Sequence, residues 1–395
     1  MKSLKPSSLL LGFAAAMSPF GMAIVVPTLE LFAQEYQAPY STIQFIISAY
    51  LFGLATAQPL VGYLSDRIGR RPVMIGGILL FIIASVMCLI TENLNTLISY
   101  RFLQGVGGSV GTVMARAMIR DTMSGEESAK PLSRVMAFMG MAPMIAPVAG
   151  AFATSLYGDP KGIFFITLII GVIILISVLL KLPETRKIEH SKIISNEPWH
   201  DKYKYLLGSK VFIGSTFMYG FTTGSFFSIL AVGSTVFSVN LGIDSTGFGL
   251  IWSSMTILYA SSAFLSDNLS ASLGLIKVMR IGVLVNLVSG VMFFSLIAIF
   301  GVTIYTIIFP LIFMFIGHGF IVPSSMTKAV SDRPEIAGSS SGLSSALGLV
   351  TGGLFSILSG ALYTGSFLPI SFIVMVSTIL CYLCYFLVSK DENKA

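Results

Sequence analysis

The sequence predicts an all-α membrane protein of twelve transmembrane helices arranged as two pseudo-symmetric six-helix bundles. Three observations lead there. Of 395 residues, 54% are hydrophobic and only 11% are charged, whereas a soluble domain uses roughly 25% charged residues. Mean hydropathy is +0.86. The apolar residues also fall into twelve continuous runs, each near the about 20 residues that one helical crossing needs. The strands of a membrane barrel would instead alternate over about ten residues. A soluble enzyme carrying a membrane anchor is excluded by these figures.

In chain order, the first run covers 8–29; its apolar stretch from Leu9 to Leu29 is too long for a signal-peptide core, so it reads as an uncleaved span. Runs at 43–64, 73–91, 97–119, 134–157 and 162–182 complete a first bundle, 1–182. The longest polar stretch, 183–210, opens with Pro183-Glu184-Thr185-Arg186, contains several lysines and reads as a cytoplasmic linker. Runs at 211–233, 247–266, 278–300, 303–327, 337–363 and 367–388 form a second bundle, 211–395. Duplicated halves are common in transporters, and a short echo fits: Leu64-Ser65-Asp66 ends span 2 and Leu265-Ser266-Asp267 ends span 8.

Charge placement sets the orientation. With the N-terminus cytoplasmic, 21 of the 24 Lys and Arg residues fall on the inner side, Lys161 alone falls outside, and Arg101 and Arg116 lie within a span. Inner loops of membrane proteins are enriched in positive charge, so both termini are expected in the cytoplasm, and the net charge of +6 calls for no nucleic acid. Cys88, Cys381 and Cys384 all lie in apolar runs, which implies neither a disulfide framework nor a metal site. Gly338-Ser339-Ser340-Ser341-Gly342 matches a nucleophile elbow in letters only, since it opens a transmembrane helix. The glycines at 105, 107, 108 and 111 do not make a dinucleotide fingerprint, and no Gly-x-x-x-x-Gly-Lys loop is present. The chain therefore reads as a non-enzyme without a cofactor, driven by an ion gradient.

The densest local pattern is the loop Gly62-Tyr63-Leu64-Ser65-Asp66-Arg67-Ile68-Gly69-Arg70-Arg71-Pro72. Its arginines alone satisfy the positive-inside rule, but the ordered combination resembles the signature loop of the major facilitator superfamily. That resemblance implies the major facilitator fold and a gating latch comprising Gly62, Asp66, Arg67, Gly69, Arg70, Arg71 and Asp121. Asp66 would face the start of span 11, Gly338-Ser339-Ser340-Ser341, and Arg70 would pair with Asp121 at the inner end of span 4. Span 4, Arg101-Phe102-Leu103-Gln104-Gly105 continuing to Ala115-Arg116-Ala117-Met118-Ile119-Arg120-Asp121, resembles the span-4 motif of proton-coupled exporters, specifically the bicyclomycin-resistance (Bcr/CflA) subfamily. An arginine deep in a span is expensive and should face a wet cavity or a partner. Span 5, Gly140-Met141-Ala142-Pro143-Met144-Ile145-Ala146-Pro147-Val148-Ala149-Gly150, resembles the antiporter motif, with a kink at Pro143 and Pro147 and close packing at Gly150.

One departure matters. Related antiporters carry an Asp four residues before the proline that is Pro27 here, and this chain has Ala23 at that place. No acid lies well inside a predicted span, so Glu30 and His318 are the proton-coupling candidates. A substrate cavity containing Arg101, Gln104, Arg116 and His318 without a carboxylate favours neutral or anionic cargo. The expected function is proton-coupled export of small amphipathic compounds, hence multidrug efflux, by a monomer in the lipid of a bacterial inner membrane. The alternatives are a dedicated exporter of an endogenous metabolite such as a siderophore and, from another class, a non-transporting receptor or scaffold.

Overall fold

The computed structural model describes residues 6–123, 126–185, 199–332 and 336–392. The first span is broken. α1 (Ser8–Ala23) gives way to a 3-10 turn, Val26–Thr28, before α2 (Leu29–Glu35) resumes. Pro27 sits in that turn, where its missing N–H and fixed φ suit a helix start better than a helix interior. The short α3 (Tyr40–Ile43) precedes α4 (Phe45–Ile68). Gly69 alone joins α4 to α5 (Arg70–Ile90), at φ +106, a backbone conformation open to glycine and strained for other residues. α6 (Leu94–Thr122) starts where the Asn93 side chain accepts the N–H groups of Asn95 and Thr96. α7 (Glu126–Tyr157) and α8 (Gly162–Lys181) follow.

The stretch read from sequence as linker contains a helix, α9 (Trp199–Gly208). Of the remainder, 186–198 lies outside the described residues. α10 (Lys210–Thr235), capped by Ser209, continues into a π turn, Val236–Asn240. α11 (Ser245–Leu273) is capped by Asp244, and Gly274 at φ +82 joins it directly to α12 (Leu275–Phe300). α13 (Ile304–Ser331) opens with a capping box at Thr303 and Thr306, and α14 (Ala337–Leu362) and α15 (Leu368–Glu392) complete the chain. Ten described helical stretches are long and apolar enough to cross a membrane. Two more make up the twelve spans: α6, whose arginines lower its hydropathy, and α7, whose apolar part is Met141–Tyr157.

The chain divides into two compact units. One comprises Met1–Gln37 and Phe45–Asn196, the other Ala38–Gln44 and Glu197–Ala395. Within the first, α6 packs against α1, α4 and α5, α7 runs along α1, and α8 packs on α5. Within the second, α13 packs against α10, α11 and α12, α14 runs along α10, and α15 packs on α12. The order of neighbours is therefore the same in both. Although Ala38–Gln44 lies in sequence inside the first unit, it belongs to the second. There the buried Gln44 amide donates to the Ala231 carbonyl, and Ser356 Oγ donates to Gln44 Oε1 at 3.3 Å.

Candidate functional site

The buried polar centre of the first unit is built on α6. Arg101 stands seven residues into that helix, about 10 Å along its axis, and is fully buried. Its Nε donates to the Ile46 carbonyl on α4 at 3.1 Å, and Nη1 donates to the Gly21 carbonyl on α1 at 3.1 Å and to Gln104 Oε1. Gly21 lies in the last turn of α1, whose terminal carbonyls lack helical partners and carry the negative end of the dipole, so a guanidinium suits that place. The cation also lies over the Tyr50 ring, 4.3 Å from its centroid. Gln104 extends the network, its Nε2 donating to Ser85 Oγ on α5 at 2.7 Å and to Thr167 Oγ1 on α8 at 3.2 Å.

Two side chains thus tie spans 1, 2, 3, 4 and 6 together. Span 5, the proline-containing helix α7, is the one not bound into this hub. It is seated by packing instead: Pro147 and Gly150 are buried and Pro143 is half-buried, and a Cβ on Gly150 would run into the carbonyl oxygen of Ile24. Arg101 Nη2 has no hydrogen-bond partner among the described residues, and no carboxylate there forms an ion pair with it. Arg116 is half-buried on the same helix, fifteen residues and about 22 Å further along the axis, so the structure does not bring it to Arg101. Ala23 ends α1 and is buried, while Glu30 sits half-buried in the first turn of α2.

The inner end of the first unit holds a second polar group. Arg70 Nε donates to Asp121 Oδ2 at 2.9 Å, and Nη1 donates to Ser65 Oγ at 2.6 Å. The backbone N–H groups of Arg70 and Arg71 both donate to the Glu184 carboxylate at 3.0 Å, and Arg71 Nη2 reaches the Leu179 carbonyl at 2.8 Å. Thr185 Oγ1 also donates to Asp121, at 3.2 Å. Glu184 therefore caps the N-terminus of α5, where unpaired N–H groups and the helix dipole favour an anion. Sequence reasoning passed over it as the start of a linker; the signal was an acid directly after a helix end, facing a loop of arginines. Arg67 stacks over the Tyr63 ring at 4.5 Å, and Gly62 is half-buried on α4. The Asp66 side chain, and those of 337–339 at the start of α14, lie outside the described residues.

At the opposite end, Lys161, the single lysine assigned to the outer side, pairs with Glu35 at 2.7 Å. Burial pulls the Lys161 ammonium down, but the hydrogen bond it donates to Glu35 and the nearby Tyr36, Glu35 and Asp159 outweigh it, leaving the group above its ordinary value. Burial likewise pushes the Tyr36 phenol up to about 12. In the second unit, His318 on α13 is buried, with Nε2 3.1 Å from Ser225 Oγ on α10. Its ring stands 6.2 Å from that of Phe226 and 6.5 Å from that of Phe315.

Comparison with known proteins follows this geometry. The Major Facilitator Superfamily model matches residues 11–356. The chain is 28% identical over 384 residues to the MFS-type transporter YdgK of Bacillus subtilis (strain 168), covering 97% of this chain and 95% of that one. It is 22% identical over 390 residues to a bicyclomycin resistance protein homolog of Haemophilus influenzae, covering 98% and 97%. Over 168 residues it is 35% identical to the multidrug resistance protein MdtL of Shigella dysenteriae serotype 1, covering 42% and 43%. Among solved structures, a D-xylose-proton symporter superposes with a TM-score of 0.76 at 16% identity, covering 96% of each chain. A bacterial homolog of the human lysosomal transporter Spinster, in an inward-facing and unoccupied conformation, gives 0.75 at 12% identity, covering 98% and 97%. These last two likenesses are of fold.

Proposed function

This chain belongs to the Major Facilitator Superfamily of transporters, and from that premise we propose that it exports small amphipathic compounds in exchange for protons. It is an integral, multi-pass membrane protein. Export is supported by relatives named for bicyclomycin and multidrug resistance. The observation that carries the choice of cargo is Arg101, a fully buried cation whose neighbours are carbonyls, an amide and a ring rather than a carboxylate. Such a centre repels a cationic compound and tolerates a neutral or anionic one.

In this reading the bundles 1–182 and 211–395, joined by 183–210, alternate access of a monomeric carrier in a bacterial inner membrane, with both termini cytoplasmic. The Arg70, Asp121 and Glu184 contacts hold the cytoplasmic latch closed and break when it opens. With Ala23 where an acid would carry the proton, Glu30 or His318 takes that part.

Everted vesicles expressing the chain test the proposal under an imposed proton gradient. Neutral and acidic amphipathic probes are expected to move, and a lipophilic cation such as tetraphenylphosphonium is not. Robust transport of the cation alone overturns the assignment of cargo charge. Substrate-induced proton release is expected to be lost in either Glu30→Gln or His318→Gln; wild-type release in both removes both as carriers.

A further inference from the structure

The second unit contains an aromatic cluster of which only His318 enters the preceding function. Trp252 on α11 lies 5.3 Å from Phe226 on α10, 5.3 Å from Phe315 on α13 and 5.7 Å, stacked, from Phe248 on its own helix. Phe226 and Phe315 are also the two rings beside His318, whose Nε2 meets Ser225 Oγ. Three helices therefore bring one indole, three phenyl rings and one imidazole together. Packing alone accounts for the rings, but it does not account for the indole nitrogen. Trp252 is 1% exposed, and its Nε1–H has no hydrogen-bond partner among the described residues. A buried indole N–H usually finds an acceptor, and leaving one unmade is destabilising. A phenylalanine would fill most of the same space without that penalty.

Charge narrows what an acceptor for this donor would be. The acids flanking Trp252 on α11 are Asp244 at its cap and Asp267 near its end, about 12 and 22 Å away along the axis. A cation entering the cluster would meet ring faces, which attract it, but no carboxylate on this helix close enough to neutralise it. An aromatic molecule with a carbonyl or ring-heteroatom acceptor would meet both a stack of rings and a free donor.

We propose that Trp252, Phe226 and Phe315, together with the Ser225–His318 pair, form a recognition subsite for uncharged or anionic planar aromatic compounds bearing a hydrogen-bond acceptor. The acceptor takes the Trp252 N–H and the ring system stacks among the three side chains. Phe226 is half-buried while Trp252 and Phe315 are buried, so of the three rings it is the one a ligand meets first. This rests on the export reading for its cargo, but the subsite is tested by binding, without a gradient.

The chain has two tryptophans, so Trp199→Phe leaves Trp252 as the sole indole. In the purified full-length protein, flavone, a neutral aromatic ketone, is expected to quench Trp252 emission saturably. By calorimetry, Trp252→Phe is expected to weaken flavone binding about 3- to 10-fold and to leave 2-phenylnaphthalene, which lacks an acceptor, unchanged. The Trp252 indole ¹⁵N–¹H resonance should move downfield with flavone and not with 2-phenylnaphthalene, a readout that survives if Trp252→Phe fails to fold. Equal behaviour of the two ligands, or no response to flavone, overturns the subsite. Flavone binding without gradient-driven transport of any probe overturns the export reading and leaves the subsite standing.

Discussion

Arg101 and Trp252 are both large, buried side chains with polar atoms, each set where several helices of its unit meet, and they are used in opposite ways. Around Arg101, Nε and Nη1 are engaged while Nη2 has no partner among the described residues, and with Gln104 these bonds tie five helices to one another. Around Trp252 the contacts are between rings, and the indole donor is uncommitted. A hub bonded to five helices specifies a structure, because each bond fixes the direction of its neighbours. A packed aromatic cluster specifies a shape but leaves chemistry available. The first unit thus puts its polar groups into holding helices together, and the second keeps a donor in reserve.

The largest test of that difference is Arg101→Leu. Arg101→Leu leaves the Gln104 amide oxygen and the Gly21 and Ile46 carbonyls without this donor, at a cost of about 1–3 kcal/mol for each buried acceptor left unpaired, so the purified variant should unfold at a distinctly lower temperature. An unchanged melting temperature with lost transport would mean that Arg101 acts on cargo charge without holding the helices together, and would dissolve the comparison. Next is Gly150→Val, which probes the one helix outside the hub. Its Cβ meets the backbone oxygen of Ile24, and such overpacking costs about 1–3 kcal/mol; thermal unfolding reads this too, and a neutral result would mean that α7 shifts freely along α1. Smaller is Glu184→Gln, which weakens two bonds to the start of α5 by roughly 1 kcal/mol. In a background without native cysteines, a cysteine at the buried Ser65 should then react with a cytoplasmic thiol reagent about five-fold faster.

The smallest effect is at Lys161. Its ammonium is held above its ordinary value of 10.5 in the folded chain, so its contribution is complete below that pH and disappears as pH rises through the raised value. The wild type should therefore exceed Lys161→Met in stability by about 0.2–1 kcal/mol at pH 8, and the two should converge in strongly alkaline buffer, as pH passes the raised value. A constant difference across that range would assign the effect to packing of the lysine stem.

The spans were legible because lipid demands long apolar helices, and α6, whose hydropathy is diluted by Arg101, Arg116 and Arg120, was legible through its motif. Helix ends were less so. The apolar runs 134–157 and 303–327 stop short of the helices that contain them: α13 continues through Lys328 to Ser331 and α7 begins at Glu126, since Lys and Glu are good helix formers. The true start signals were caps such as Asn93, Ser209, Asp244 and Thr303. Arg101 stood out as a cation in a span, but its partners did not, because the Gly21 and Ile46 carbonyls are groups that every residue carries. Trp252 resembled any packing aromatic; only the three-dimensional surroundings of its nitrogen distinguish it.

The segment Ala38–Gln44 also bears on how the molecule is made. Gln44 leaves the ribosome early, yet its amide partner Ala231 lies 187 residues later and Ser356 lies 312 residues later. At about 5–20 residues per second, the glutamine waits roughly 15–60 s for span 11 to be synthesised. Closure of this corner by the Ser356–Gln44 bond is therefore among the last events of biogenesis, long after the Gln44–Ala231 bond has become possible.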